Sequence, residues 1–321
     1  AKTKLEAYAN GQTMRKRQSP KRKKSNTPDS VQKKTTTRKK TQPNTEPTIT
    51  YTAPVEEQHN IIFKPNAGPQ TDFLAAGERE VLFGGSAGGG KSYAMLADPL
   101  RFMGHPAFSG LLLRHTTEEL RELIFKSQEM YPKIWPGIKW SERKMQWTAP
   151  SGARLWMSYL DREDDVLRYQ GLAFSWIGFD ELTQWPSPFA WNYMRSRLRS
   201  TAPDLPVYMR ATTNPGGRGH HWVKKMFIDP AAHNKAFDAT DIETGEVLKY
   251  PAGHEKAGRS LFKRKFIPAR LSDNPYLSRQ GDYEAMLLSL PEQQRRQLLD
   301  GDWDIKEGAA FTEFDRNIHV I

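Results

Sequence analysis

Cysteine is absent from the 321 residues, which excludes disulfide staples and thiolate metal sites and allows, without requiring, a reducing intracellular setting. There is no run of about 18 apolar residues, and the N-terminus is too basic and polar for the apolar segment of a signal peptide. These absences read as a soluble protein not secreted by the usual route. A general charge excess is also lacking once the charge is located. The formal net charge is +11, but residues 1–50 hold 14 Lys or Arg against 3 Asp or Glu, which leaves 34 of each sign in residues 51–321. Contact of that larger part with nucleic acid must rest on a local patch, because its bulk charge attracts nothing.

What is present falls into two compositions. Residues 1–52, with "RKRQSPKRKK" and "KKTTTRKK", hold too little apolar area to offset the entropy of ordering them. They read as a disordered basic tail that solubilises, grips phosphates, tethers a partner or acts as a localisation signal. From about residue 53 onward, apolar runs alternate with helical patterns. "HNIIF" is strand-like, and a short helix from Thr71 leads into the strand "EVLFGG". "KSYAMLADPLRF" is a helix stopping near Asp98, because Pro99 follows. "SGLLLRHT" is a strand, and "TEELRELIFKSQEMY" is a helix capped at Thr116 or Thr117. "MQWTAP" and "ARLWMSYL" form a hairpin about Pro150–Gly152. "FSWIGFDE" and "LPVYMRATTNP" are strands, each followed by a helical pattern. Such alternation predicts a mostly parallel α/β sheet covered on both faces. Residues 235–265 carry turn and charge signals with little periodicity and read as a solvent-facing loop or a hairpin. "LFKRKFIPARLSDNP" gives a strand and a polar turn, and Pro291 divides two further helical pieces.

The sharpest motif is "GSAGGGKS", residues 85–92, lying between a predicted strand and a predicted helix. Gly85, Ser86, Ala87, Gly88, Gly89 and Gly90 can converge amides on phosphate oxygens, Lys91 can neutralise the β and γ phosphates, and the Ser92 hydroxyl can ligate Mg²⁺. Hydrolysis needs carboxylates as well. Asp180 and Glu181 end an apolar strand, so Asp180 can orient the magnesium shell and Glu181 can polarise a water. Thr212, Thr213 and Asn214 in "ATTNPGG" can face the γ-phosphate or its water, with a simple turn as the rival reading. Gln70 can read the adenine edge or cap the helix that follows it. Arg114 and Arg168 are each able to supply transition-state charge. His220 and His221 lack further ligands at metal spacing and read as structural or surface residues.

Taken in order, "GPQTDFL", "VLFGGSAGGGKS", "LLLRHTTEEL", "RYQG", "WIGFDELTQW", "ATTNPGG", "LSDNPYL" and "LLDGDW" resemble the ATPase motor of tailed-bacteriophage terminase large subunits, from about residue 60 to 321. The resemblance implies a RecA-like P-loop NTPase of the ASCE type with a small C-terminal helical linker subdomain, ATP and Mg²⁺ as ligands, and Walker A at Gly85–Ser92. It implies a Walker B acid at Asp180, a catalytic base at Glu181, a coupling motif at Thr212–Asn214 and an adenine-side glutamine at Gln70. The partners implied are double-stranded DNA, a portal protein, a small terminase subunit and further copies in a ring, commonly pentameric, working in the host-cell cytoplasm while docked on a procapsid.

Two departures from the family pattern bear on mechanism. Some members carry an arginine inside the phosphate loop where this chain has Ser86 and Ala87, so the charge is expected from Arg168, which resembles a finger reaching a neighbouring subunit's site. The family's nuclease domain is expected to begin at "FTEFDRNIHVI", and the sequence stops before its metal-binding acids. The expected division is thus 1–52 tail, 53–265 ATPase domain, 266–310 linker and 311–321 the start of a nuclease domain. A helicase-like or other nucleic-acid remodelling ATPase, and a nucleotide-regulated DNA-binding scaffold, are the rival functions.

Overall fold

All six residues of β1 (Glu80–Gly85) are buried, as expected of a strand inside a parallel sheet with both faces covered. The structure, a computed structural model, describes residues 63–279 and 281–305. The basic tail, most of the "HNIIF" strand and the expected nuclease entrance lie outside the described residues.

Helix α1 (Pro69–Ala75) precedes β1, two residues earlier than the expected start at Thr71, because Pro69 suits the first helical position. Helix α2 (Lys91–Ala97) follows the glycine loop, and a 3₁₀ turn led by Asp98 and Pro99 takes over from it. Next come β2 (Ser109–Arg114) and α3 (Thr117–Ile134). Thr116 caps α3 in a reciprocal box: the Glu119 amide donates to its hydroxyl (3.3 Å) and the Thr116 amide donates to the Glu119 carboxylate (3.4 Å). The expected hairpin is β4 (Gln146–Thr148) and β5 (Arg154–Tyr159), preceded by β3 (Lys139–Ser141), which sequence patterning missed. Then follow β6 (Trp176–Asp180), α4 (Phe189–Arg195), β7 (Tyr208–Thr213) and α5 (His220–Val223), which runs on as a π turn to Ile228.

In the aperiodic stretch, β8 (Ala236–Asp238) pairs antiparallel with β9 (Lys263–Ala269), and two isolated bridges join the chain between them. The division expected between residues 265 and 266 falls inside β9, which stays hydrogen-bonded to β1 as far as Ala269. Short helices α6 (Pro275–Ser278), α7 (Asp282–Leu288) and α8 (Glu292–Arg295) follow, and a π turn extends α8 to Asp300.

The nine strands run β3-β4-β5-β2-β6-β7-β1-β9-β8. From β5 to β9 every neighbouring pair is parallel, and the antiparallel pairings are confined to the two edges. Alternate residues serve opposite faces. Leu82, Leu111, Leu113, Ile177, Phe179, Met209 and Ala211 pack with Trp191 and Met194 of α4 and with Trp222 and Val223 of α5. Leu112, Leu155 and Met157 pack under α3, while Val81, Phe83 and Ile267 meet Phe73 of α1 and Ala94 of α2. Each Val, Leu, Ile, Phe or Met among them, fully buried, contributes roughly 1.5–3 kcal/mol.

Register aligns the strand ends that matter. Thr212 lies opposite both Asp180 and Phe83, so β6, β7 and β1 finish level at the carboxyl edge. At the opposite edge, buried Glu80 accepts from Arg195 of α4 and from Arg264 of β9 (2.8 Å), tying a helix and a second strand to the start of β1.

Candidate nucleotide site

Gly85 turns out of the sheet at φ 137°, and a Cβ there would lie 2.3 Å from the Ala269 carbonyl oxygen, so only glycine fits. Ser86 is fully buried; its amide donates to Ala269 O (2.8 Å), and its hydroxyl donates to the same oxygen (3.1 Å) and accepts from Leu271 N (3.0 Å). The Ala87 amide donates to Leu298 O (2.6 Å). Of the residues expected to cradle phosphate, Ser86 and Ala87 thus direct their amides to β9 and to the segment after α8. Gly90 caps α2, whose first-turn amides have no intrahelical partners.

Lys91 is buried and donates from Nζ to the Ser86 carbonyl at 2.5 Å. Burial pulls its pKa below the ordinary lysine value, and the charges of Glu181 and Asp180 partly restore it. The loop lysine and the two acids therefore share one electrostatic site. One strand, β7, separates β1 from β6, which sets the acids about 10 Å from the phosphate loop across the sheet.

Asp180 is fully buried, accepting from the Thr212 hydroxyl on one oxygen and from Arg114 Nη1 on the other. A carboxylate has about four lone-pair positions, so both oxygens keep capacity for a water or cation. Glu181 follows in left-handed backbone, φ 59° and ψ 58°, and its Oε2 accepts from the Asn214 amide at 3.2 Å. Burial first and the Asp180 charge second raise its pKa above the usual carboxylate value, against Lys91, Arg114 and the Asn214 hydrogen bond.

Asn214 Oδ1 is buried without a hydrogen-bond partner among the described residues, so the site holds one polar group awaiting a ligand or water. Thr213 and Thr183 share a hydroxyl contact of 2.7 Å, and Thr183 also donates to Asn214 O (3.2 Å). Thr183 was not singled out from sequence; its signal is its place in "DELT", directly after the acids.

Arg114, passed over in favour of Arg168, belongs to this cluster. It is 14% exposed and contacts Asp180 and Glu119. Burial lowers its pKa, but Asp180, Glu181 and Glu119 outweigh burial and raise it. Arg168 lies elsewhere: it is exposed, donates to the Tyr159 carbonyl at the end of β5 and stacks over Tyr169. Four strand spacings, about 19 Å, separate β5 from β1.

Gln70 is buried, accepting from Asn66 N (2.6 Å) and donating to Gly90 O (2.9 Å). It opens onto a cavity of about 450 Å³ lined also by Phe63, Tyr93, Asn274, Tyr276 and Leu277, residues that sequence reasoning did not assign. Aromatic and apolar walls beside the head of α2 suit a flat base. His220 stacks on Trp303 with centroids 5.3 Å apart, while His221 is exposed. Among the described residues no group of three or more His, Asp or Glu could hold a metal unaided. A magnesium–triphosphate needs fewer protein ligands; Ser92 stands in the first turn of α2 and Asp180 at the end of β6.

A phosphate loop on β1, paired acids on β6 and one strand between them define a P-loop NTPase of the RecA-like, ASCE type. More narrowly, the chain belongs to the terminase large subunit family: the profile described as "Terminase large subunit, T4likevirus-type, N-terminal" matches residues 82–318. Among solved structures, the large terminase of the thermophilic bacteriophage D6E is 18% identical with a TM-score of 0.55, covering 79% of this chain. The same protein in complex with ADP gives 19% and 0.54. The ATPase domain of the Thermus phage P74-26 large terminase is 14% identical at a TM-score of 0.48, covering 75% of this chain and 94% of that one. The D6E likeness shows the fold. This chain spans 57% of the length of the D6E chain. No curated protein matches it.

Proposed function

We propose that the chain hydrolyses ATP in the crevice between the phosphate loop and the β6 acids, and that hydrolysis drives double-stranded DNA into a procapsid. The observation that carries the reading is Glu181, a half-buried carboxylate of raised pKa at the end of β6, electrostatically joined to Lys91 and braced by the Asn214 backbone N–H. A carboxylate of raised pKa is a stronger proton acceptor than an ordinary one, which a nucleotide-regulated scaffold would not need. A bound D6E ADP complex supports nucleotide binding for this fold.

In the proposed site Gln70 and the aromatic cavity hold the base, and the head of α2 with Lys91 holds the phosphates. Ser92 and Asp180 would hold Mg²⁺, which when bound neutralises charge on the β and γ phosphates. Lys91 leaves the Ser86 carbonyl for the phosphates and so regains the charge partner that burial denies it. Glu181 orients the attacking water and takes its proton, and the side-chain Oδ1 of Asn214 accepts from that water. Arg114 pairs with Asp180 and fixes the orientation of its carboxylate. Arg168, placed away from its own phosphate loop, serves the site of the adjacent copy in a ring, commonly pentameric.

DNA is gripped through its phosphates without sequence readout. The portal, the small terminase subunit and a setting in the host cytoplasm belong to the same proposal, as do an ATPase domain followed by a linker subdomain and a nuclease acting in the intact protein. The test is ATP-dependent packaging by the intact polypeptide with portal-bearing procapsids. Packaging that Lys91→Ala abolishes is expected; strand separation of forked DNA without packaging would favour a helicase instead.

A further inference from the structure

The loop after β7 needs an anchor that the sheet does not supply. Gly216 and Gly217 follow Asn214 and Pro215 with φ of 93° and 80°, two successive left-handed glycines with wide backbone freedom. Yet Asn214 must stay fixed to brace Glu181. The Gly216 amide donates to His220 Nδ1 at 2.8 Å, so Nδ1 carries no proton and Nε2 does. Nε2 then donates to Trp303 O at 3.2 Å, and the imidazole lies flat on the Trp303 ring.

Trp303 is itself held. It is buried against Phe266 of β9, and the next residue, Asp304, pairs with Lys224 at 2.8 Å, one helical turn beyond His220. Five residues earlier, Leu298 O accepts the Ala87 amide of the phosphate loop. Residues 298–304 therefore touch both walls of the crevice: the phosphate loop through Leu298, and the loop after β7 through His220.

We infer that His220 is a positioning residue for hydrolysis, fixing the Asn214–Gly217 loop against Glu181, and that residues 298–304 hold its ring in the orientation the loop requires. The inference deepens the ATPase reading and rests on it. Because His220 acts on Asn214 rather than on nucleotide, its loss should lower turnover and leave ATP affinity alone.

The test is steady-state ATP hydrolysis by the 321-residue chain, with nucleotide binding measured separately by calorimetry. His220→Ala should lower kcat by roughly 10- to 100-fold, the cost of a displaced catalytic group, with KM for ATP within about twofold. His220→Asn, which keeps an acceptor where Nδ1 sits, should recover most of the loss; His220→Gln, which keeps only the distal donor, should not. Trp303→Leu should lower kcat in the same sense, and deuterium exchange at residues 214–219 should rise in every impaired variant. Unchanged kcat in both His220→Ala and His220→Gln would overturn the inference while leaving the ATPase reading intact, as would equal rescue by Gln and Asn. A wild-type chain that binds no ATP would overturn both. If His220→Ala does not fold, the Asn and Gln pair decides alone.

Discussion

Glu181 occupies backbone that side-chain-bearing residues avoid, at a cost of about 1–3 kcal/mol, and it does so between an aspartate and a buried lysine. That strain turns its carboxylate off the end of β6 toward Asn214. The raised pKa has a direction that kinetics can read. A general base works only when deprotonated, so kcat should fall as pH drops through the Glu181 pKa, with an acid limb above 4.5. Arg114 is one of the groups drawing that pKa back down, so Arg114→Met should move the limb further toward neutral pH, besides lowering the rate. A pH–rate profile of the two proteins checks this; a limb that shifts to lower pH in the variant would contradict it. Lys91 could be picked out from a motif of fixed spacing and the acids from their place at the end of an apolar strand, whereas Gln70 kept a helix cap as its rival reading. Arg114 could be named but not ranked above Arg168, since its contact with Asp180 depends on β2 lying beside β6, and strand order is not written in any local pattern.

Among the elements, β1 is secured at both ends, and the amino end can be tested without touching the site. Glu80 is buried between Arg195 and Arg264, so Glu80→Ala strands two guanidinium groups and should lower stability by about 3–5 kcal/mol in urea unfolding. Burial raises the Glu80 pKa, but the two arginines outweigh burial and leave it below 4.5. Its stabilising contribution is accordingly complete above pH 4.5 and lost as pH falls through the lower native value. Thr116→Ala removes half of the α3 capping box and should cost about 1 kcal/mol by the same measurement. The elements easiest to foresee were those with a chemical boundary: α3 with its cap, the hairpin around Pro150–Gly152, and the apolar strands β1, β2, β6 and β7. Short pieces escaped notice. β3 and β8 have three residues each and exist because a neighbouring strand offers an edge, a tertiary cause invisible to periodicity.

For the whole molecule, the proposed function implies that each site is completed by two copies. Arg168 is anchored at β5, far along the sheet from its own phosphate loop. If it serves the adjacent copy, two inactive variants should complement: mixing Arg168→Ala with Glu181→Gln subunits on the portal should restore part of the ATPase rate that neither supports alone. No recovery in mixed rings would argue against delivery in trans. The chemistry itself is tested most directly by comparing ATP hydrolysis with ATP binding in Glu181→Gln, which keeps size and hydrogen-bonding shape but cannot accept the proton. The expected result is ATP affinity within a few-fold of wild type and kcat lower by about 10²–10⁴-fold. Turnover undiminished in Glu181→Gln would contradict the account.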